Sequence, residues 1–315
     1  MLLMSKGIHR DRHAEMLEGL AAYEADHGQL PGIADPAARK TLVEQMVSSL
    51  RRVEYVHGFR HRPAMSLRRV DPHSTLFDPL KGAFYLGSKG KRDEAVWIAF
   101  VGTHFGKHAK DAWKLAANVM GSFGQGPIWN AERYGAHTAD FEAMLVAHQH
   151  DLKSKAISGR FSNHRQYQSK KPEKIAKVFA TFHEWLTATD GINARVRQIH
   201  EKVGQEPTTV FKELYRSMED VYGFGRLGTF DFLTMIAKLD LAPIEADSVH
   251  FAGATGPLSG AKLLVLGAVD AKGRTKGIEK AIDALDDYLL VGKQVLEDSL
   301  CNWQKSPKAY GYFQG

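Results

Sequence analysis

Residues 211–239 read FKELYRSMEDVYGFGRLGTFDFLTMIAKL. Two helix-forming segments flank a five-residue stretch, VYGFG, with glycine at 223 and 225. This grammar constrains the fold more than any other part of the chain: a helix, a hairpin too short for structure of its own, and a second helix. Glycines there permit positive φ and let the backbone come close to another backbone. Amides at the start of the second helix can then hold a phosphate, and Arg226 adds charge beside them. Gly223, Phe224, Gly225 and Arg226 are therefore candidates to grip a nucleic-acid backbone. An ordinary glycine-bearing turn between two core helices is the alternative.

The rest of the chain also reads as helix. In 12–28, Met16, Leu17, Leu20, Ala21 and Tyr23 share a face, and Gly28 can end the segment. At 34–56, Asp35 is a candidate N-cap, Pro36 suits the first helical position, and Leu42, Val43, Met46 and Val47 follow. The segments 139–157 and 277–305 each read as helical throughout. EAVWIAFVGTHF, 94–105, fits a buried helix or a strand, since periodicity cannot settle an apolar run of this length. The expected architecture is mainly α.

With 315 residues the chain is long enough for one large domain or two interlocked ones, and 43% hydrophobic residues suffice for a core. The formal net charge of +6 fits an anionic partner. Basic residues cluster at 51–69, where Arg68 and Arg69 are candidates for phosphate contact. Cys301 is the single cysteine, which excludes intrachain disulfides and cysteine-ligated zinc or iron–sulfur sites. No signal-peptide core and no run near the roughly 20 apolar residues of a membrane helix is visible. The expected location is the cytoplasm, with no membrane association and no obligate protein partner.

Three further segments carry polar groups suited to a ligand. GRFSNHRQYQSKKPEK, 159–174, sets Asn163, His164, Arg165 and Tyr167 among basic residues, a mixture suited to phosphates and stacked bases; a solvated loop is the alternative. FAGATGPLSGAKLLVLG, 251–267, resembles a glycine-rich loop entering a helix. Thr255 and Gly256 could meet a phosphate or sugar, or the segment is a flexible loop with a helix cap. His104 and His108 stand four residues apart, but Gly106 weakens a helical metal site and no carboxylate follows His104. No metal is expected, and His104 reads as a pocket or core histidine.

Six motifs in order, VDPHSTLFDPLKGA, THFGKH, GRFSNHRQYQS, YGFGRLGTFDFL, ATGPLSGAKLL and LEDSLCNWQK, resemble the α-glutamyl/putrescinyl thymine pyrophosphorylase family, third clade. The likeness spans roughly residues 60–305. It implies a helix–hairpin–helix DNA glycosylase-like fold with two interlocked helical subdomains. We expect these at 1–60 plus 245–315 and at 61–244, the latter ending in the helix–hairpin–helix at 213–240. Founding members of the family are linked to hypermodified thymine in phage DNA. A related branch removes α-glucosylated 5-hydroxymethylcytosine from phage genomes, leaving abasic sites.

Glycosylases of this superfold carry an essential aspartate after the hairpin, at the start of the next helix. Asp247 stands 24 residues beyond Gly223 (247 − 223) and resembles it. A helix N-cap is its bland role. Lyase-type members carry lysine where this chain has Leu227, so no Schiff-base chemistry is expected. The implied activity is a monofunctional DNA glycosylase for a bulky modified pyrimidine in double-stranded phage DNA, acting in antiphage defence. A base-modifying transferase and a non-catalytic DNA-binding module are the alternatives. Asp247 is the expected catalytic residue. His104, Asn163, His164, Arg165, Tyr167, Asp231, Thr255 and Gly256 are expected around the base or sugar, although Asp231 could instead pair with Arg226 one helical turn away. No cofactor is expected, a monovalent cation at the hairpin aside.

Overall fold

The computed structural model describes residues 10–61 and 65–312. Among these it holds sixteen α-helices, five short 3-10 helices and no strand beyond the isolated bridge between His108 and Ala112. The chain is mainly α, as its periodicity predicts. No described helix is long and apolar enough to cross a membrane.

The chain divides into two compact units. One joins the described residues up to His57 with those from Ala246 onward, so two segments distant in sequence build it. Its helices are Arg10–His27, Pro36–His57, Gly256–Leu266, Thr275–Leu289 and Lys293–Trp303. Asp35 opens the second of these by accepting from the Ala37 amide at 2.8 Å. Leu20, Leu42, Val43, Met46, Val249, Phe251, Leu264, Ile282, Leu300 and Trp303 fill the core. Trp303 Nε1 donates to Ala38 O at 3.2 Å, tying the last helix to the second.

The expected continuous helix at 277–305 is two helices. Leu290 leaves the helical region at φ +51 and Gly292 follows at φ +87. Asp286 Oδ1 takes the Val291 and Gly292 amides at 3.1 and 2.8 Å, which satisfies the break. Apolar periodicity runs on across it because both helices face the same core.

The other unit spans Gly58–Glu245. At its centre lies the helix Arg92–Phe105, buried at every position from Ala95 to Phe105. The ambiguous run at 94–105 is thus a helix, apolar all round because it is covered all round. Phe100 stacks on Phe182 with centroids 3.8 Å apart, and Phe105, Phe141, Phe179 and Tyr134 extend the aromatic core. Trp97 donates Nε1 to Trp129 O at 2.9 Å, as a buried indole must. The segment at 139–157, expected as one helix, is covered by three: Thr138–Ala147, Gln149–Lys153 and Lys155–Ser158. His148 and Ser154 stand at the breaks, and the Ser154 side chain caps the last piece through the Ile157 amide.

Candidate functional site

Helix Pro207–Ser217 buries Val210, Phe211 and Leu214, and helix Arg226–Lys238 buries most of its length. Between them Val221 N donates to Met218 O and Phe224 N to Val221 O, both at 3.0 Å. Gly223 sits at φ +75, where a side chain would be strained. The turn is pinned from outside: Thr181 Oγ1 accepts from Tyr222 N at 2.9 Å, and Gln168 Nε2 donates to Gly223 O at 2.7 Å. The second helix begins when Thr229 N reaches Gly225 O, and Thr229 Oγ1 also donates to Phe224 O. Gly225 is exposed, at φ −72, and a Cβ there would meet nothing within 4 Å. The protein's own packing therefore does not require glycine at 225.

The Phe224 side chain serves the core and not the surface. It is 4% exposed and packs near Phe100, His104, Phe182 and Phe232. Only its backbone is left to meet a phosphate. Two exposed lysines unmarked in the sequence flank the hairpin: Lys177 and Lys174 hold their ammonium groups 4.5 and 5.3 Å from the Tyr222 ring centroid. Arg68 is exposed on the 3-10 turn Leu67–Arg69. Arg69 instead spends its guanidinium on its own loop, donating to Leu76 O at 2.8 Å.

Three of the expected pocket residues, Arg165, Tyr167 and Asp231, come together in this unit, in a different arrangement. Arg165 is 4% exposed. Its Nε donates to Thr103 O at 2.7 Å, one terminal nitrogen to Tyr167 Oη at 3.2 Å and the other to Asp231 Oδ2 at 2.6 Å. Asp231 thus pairs with Arg165, and Arg226 is not its partner. Burial alone would lower the Arg165 pKa, but Asp231 and Tyr167 outweigh it and hold the guanidinium above its ordinary value. The pair ties the 163–168 turn to the helix after the hairpin. Tyr167 and Asn163 are exposed, and Asn163 Oδ1 accepts from Gln166 at 2.8 Å; His164 is half-buried.

His104 lies in the core, 1% exposed, rather than on a wall that solvent reaches. Phe100, Phe105, Phe161, Phe179 and Phe224 surround its ring. Burial, with Arg165 adding, pushes its pKa down to about 3, and neither ring nitrogen has a hydrogen-bond partner. His108 lies beyond the helix end at Phe105 and belongs to a turn, so the two histidines share no helical face. No group of three potential metal ligands occurs among the described residues. An open cavity of about 370 Å³ in the same unit, rimmed by Ser122, Trp129, Arg133 and His148, includes none of the sequence candidates.

Asp247 belongs to the other unit. It does not start a helix: the next one begins at Gly256, and Asp247 lies in the bend that precedes it. Its Oδ1 is 2.8 Å from His250 Nε2, and the side chains are 19% and 18% exposed. Oδ2 takes no hydrogen bond from the described residues. His250 itself is at φ +49, a left-handed conformation that a histidine adopts only when its surroundings enforce it. Asp283 holds the loop by accepting from Ser248 Oγ at 2.9 Å and Val249 N at 3.3 Å. Glu279 takes the Phe251 amide at 2.6 Å. The local string ADSVH carries the Asp247–His250 spacing, but nothing local announces carboxylates some 30 residues away.

The glycine-rich loop has a packing explanation. A Cβ on Gly256 would crowd Cys301 Sγ at 2.7 Å, and one on Gly260 would run into Leu300 O. These two glycines seat helix Gly256–Leu266 on helix Lys293–Trp303. Thr255 is exposed and its side chain makes no cap bond.

Comparisons with curated proteins and with solved structures return no match. Among protein families, the description "alpha-glutamyl/putrescinyl thymine pyrophosphorylase clade 3" matches residues 37–315, which include both the hairpin and the Asp247 loop. The chain belongs to that enzyme family.

Proposed function

We propose that this chain is a monofunctional DNA glycosylase that excises a bulky modified pyrimidine from double-stranded DNA, with α-glucosylated 5-hydroxymethylcytosine of phage genomes as the leading substrate. The observation that carries the reading is Asp247: a half-buried carboxylate outside any helix, one oxygen held by His250 and the other without a hydrogen bond from the described residues. A carboxylate so held suits the opposite charge of an oxocarbenium-like sugar. In the reaction the C1′–N bond breaks and its electron pair leaves with the base. Water adds to C1′, and its proton passes through Asp247 to the medium or to the departing base. The products are free base and an abasic site. Leu227 in place of lysine leaves no amine there for a Schiff base, so strand cleavage is not part of the reaction. Gly223, Gly225 and Arg226 would hold the backbone while the base is flipped, and Arg68 would add charge. Phage defence in the cytoplasm is the setting this activity fits.

The family's name favours a second reading, a transferase that elaborates a 5-hydroxymethyl pyrimidine without breaking the glycosidic bond. Incubation with duplex DNA carrying glucosylated 5-hydroxymethylcytosine separates the two. Released base with alkali-labile sites supports excision. An altered nucleoside in alkali-stable DNA supports the transferase, and binding without any product supports a binding module. Asp247→Asn is expected to slow single-turnover base release by about 100-fold or more, within the usual range for a general acid–base group. Release at the wild-type rate would remove Asp247 from catalysis.

A further inference from the structure

We infer that Asp283 and Glu279 are positioning residues that set the Asp247–His250 pair through the backbone of residues 248–251. This rests on the reading of Asp247 as the catalytic carboxylate.

Along Asp247–Phe251, buried and half-buried residues are interleaved. Val249 and Phe251 are fully buried and anchor the loop in the core. Asp247 and His250 lie on the half-buried side and meet at 2.8 Å. Two bonds from Asp283 hold the chain before His250, and one bond from Glu279 holds it after. The strained residue is thus clamped on both sides. His250 N also donates to Ser248 Oγ at 3.4 Å, inside the clamp.

Glu279, Asp283 and Asp286 stand at i, i+4 and i+7 on helix Thr275–Leu289, which places them along one face. Asp286 serves the helix end and pairs with Lys293 at 3.2 Å, so it is not part of the clamp. Lys293 Nζ also donates to Asp283 O at 2.8 Å and fixes that turn of helix. Burial raises the Asp283 pKa against the Ser248 bond and Lys293, which lower it. A loop of this length could be closed by neutral acceptors. Placing half-buried carboxylates on both sides of a left-handed histidine fixes where that histidine delivers Nε2, and hence which rotamer Asp247 keeps.

The test uses the full chain and needs no knowledge of the natural base. Two duplexes carry a single abasic analogue, one a cationic pyrrolidine in place of the sugar, the other a neutral tetrahydrofuran. The ratio of their dissociation constants reads the carboxylate's preference for positive charge at the sugar, because a cationic mimic borrows transition-state binding. The wild type is expected to favour the cation by about tenfold or more, and Asp247→Asn to bring the ratio near one. Asp283→Ala is expected to lower the ratio about fivefold, with tetrahydrofuran binding within about twofold of wild type, as expected when only transition-state binding is lost. Asp283→Asn, which keeps one acceptor, falls between. A merely structural role would move both affinities together and leave the ratio alone.

Should Asp283→Ala fail to fold, Ser248→Ala removes a single clamp bond and is expected to lower the ratio about twofold, in keeping with loss of one of several bonds. If Asp247→Asn loses the preference while Asp283→Ala, Glu279→Gln and Ser248→Ala all keep it, the positioning inference is overturned and Asp247 stands. If Asp247→Asn keeps the preference, the catalytic reading falls and the inference falls with it.

Discussion

His104 holds two ring nitrogens without partners inside a box of phenylalanines. Such a histidine must stay neutral in the folded protein, and its pKa of about 3 expresses that. The unfolded value is 6.5, so the stability it permits is complete above pH 6.5 and is lost as pH falls toward 3. Between those limits the loss is about 1.4 kcal/mol per pH unit. His104→Phe removes the titrating group and the two orphan nitrogens while keeping an aromatic ring. Urea midpoints at pH 7 and pH 5 are expected to differ less in the variant than in the wild type. Base release by the variant is expected to persist, since the ring lies in the core and touches no open surface. The motif THFGKH revealed a special histidine but not what surrounds it, because four of its five phenylalanine neighbours lie at other places in the chain, from Phe100 to Phe224. Arg165 and Asp231 each stand out in the sequence as polar groups beside aromatic residues. Their partnership joins positions 66 residues apart, a distance at which local spacing gives no guide.

At the scale of elements, the amphipathic helices were readable from periodicity, whereas the apolar run at 94–105 and the helix breaks were not. Leu290–Gly292 and the interruptions at His148 and Ser154 fall inside segments whose pattern runs on across them; at Leu290–Gly292 and at Ser154 a side chain accepts the freed amides. The hairpin was legible through its glycines, and the structure gives the two of them different reasons. Gly223→Ala forces a left-handed alanine and sets its Cβ 3.1 Å from Val178 Cγ2. The expected destabilisation is about 1–2 kcal/mol. Gly225→Ala meets open space at an ordinary φ and is expected to unfold within about 0.5 kcal/mol of wild type. If the hairpin lets a DNA backbone approach closely, this same variant loses about tenfold in affinity for duplex DNA, a methyl group standing where the phosphate must come. Thermal melts and fluorescence anisotropy on the two variants separate folding from binding. In the loop at 251–260, Gly256 and Gly260 are also contact points between two helices.

At the scale of the whole molecule, the unit Gly58–Glu245 is continuous and owns its core, whereas the other unit draws on two segments distant in sequence. Residues 58–245 expressed alone are therefore expected to give a helical circular dichroism spectrum and a cooperative melt. Residues 246–312 alone are expected to give neither, because Leu20, Leu42, Val43 and Met46 supply one side of their core. A cooperative melt from the C-terminal piece would contradict that division. The same arrangement has a consequence in time. Residues up to His57 leave the ribosome first, yet the segment that covers their apolar faces starts only at Ala246. At synthesis rates of roughly 5–20 residues per second, the intervening stretch of about 190 residues imposes a wait of about 10–40 s. Throughout that interval a nascent chain carries the Leu42–Val47 stripe bare, so a cell making this protein must shelter that stripe until the segment from Ala246 has emerged.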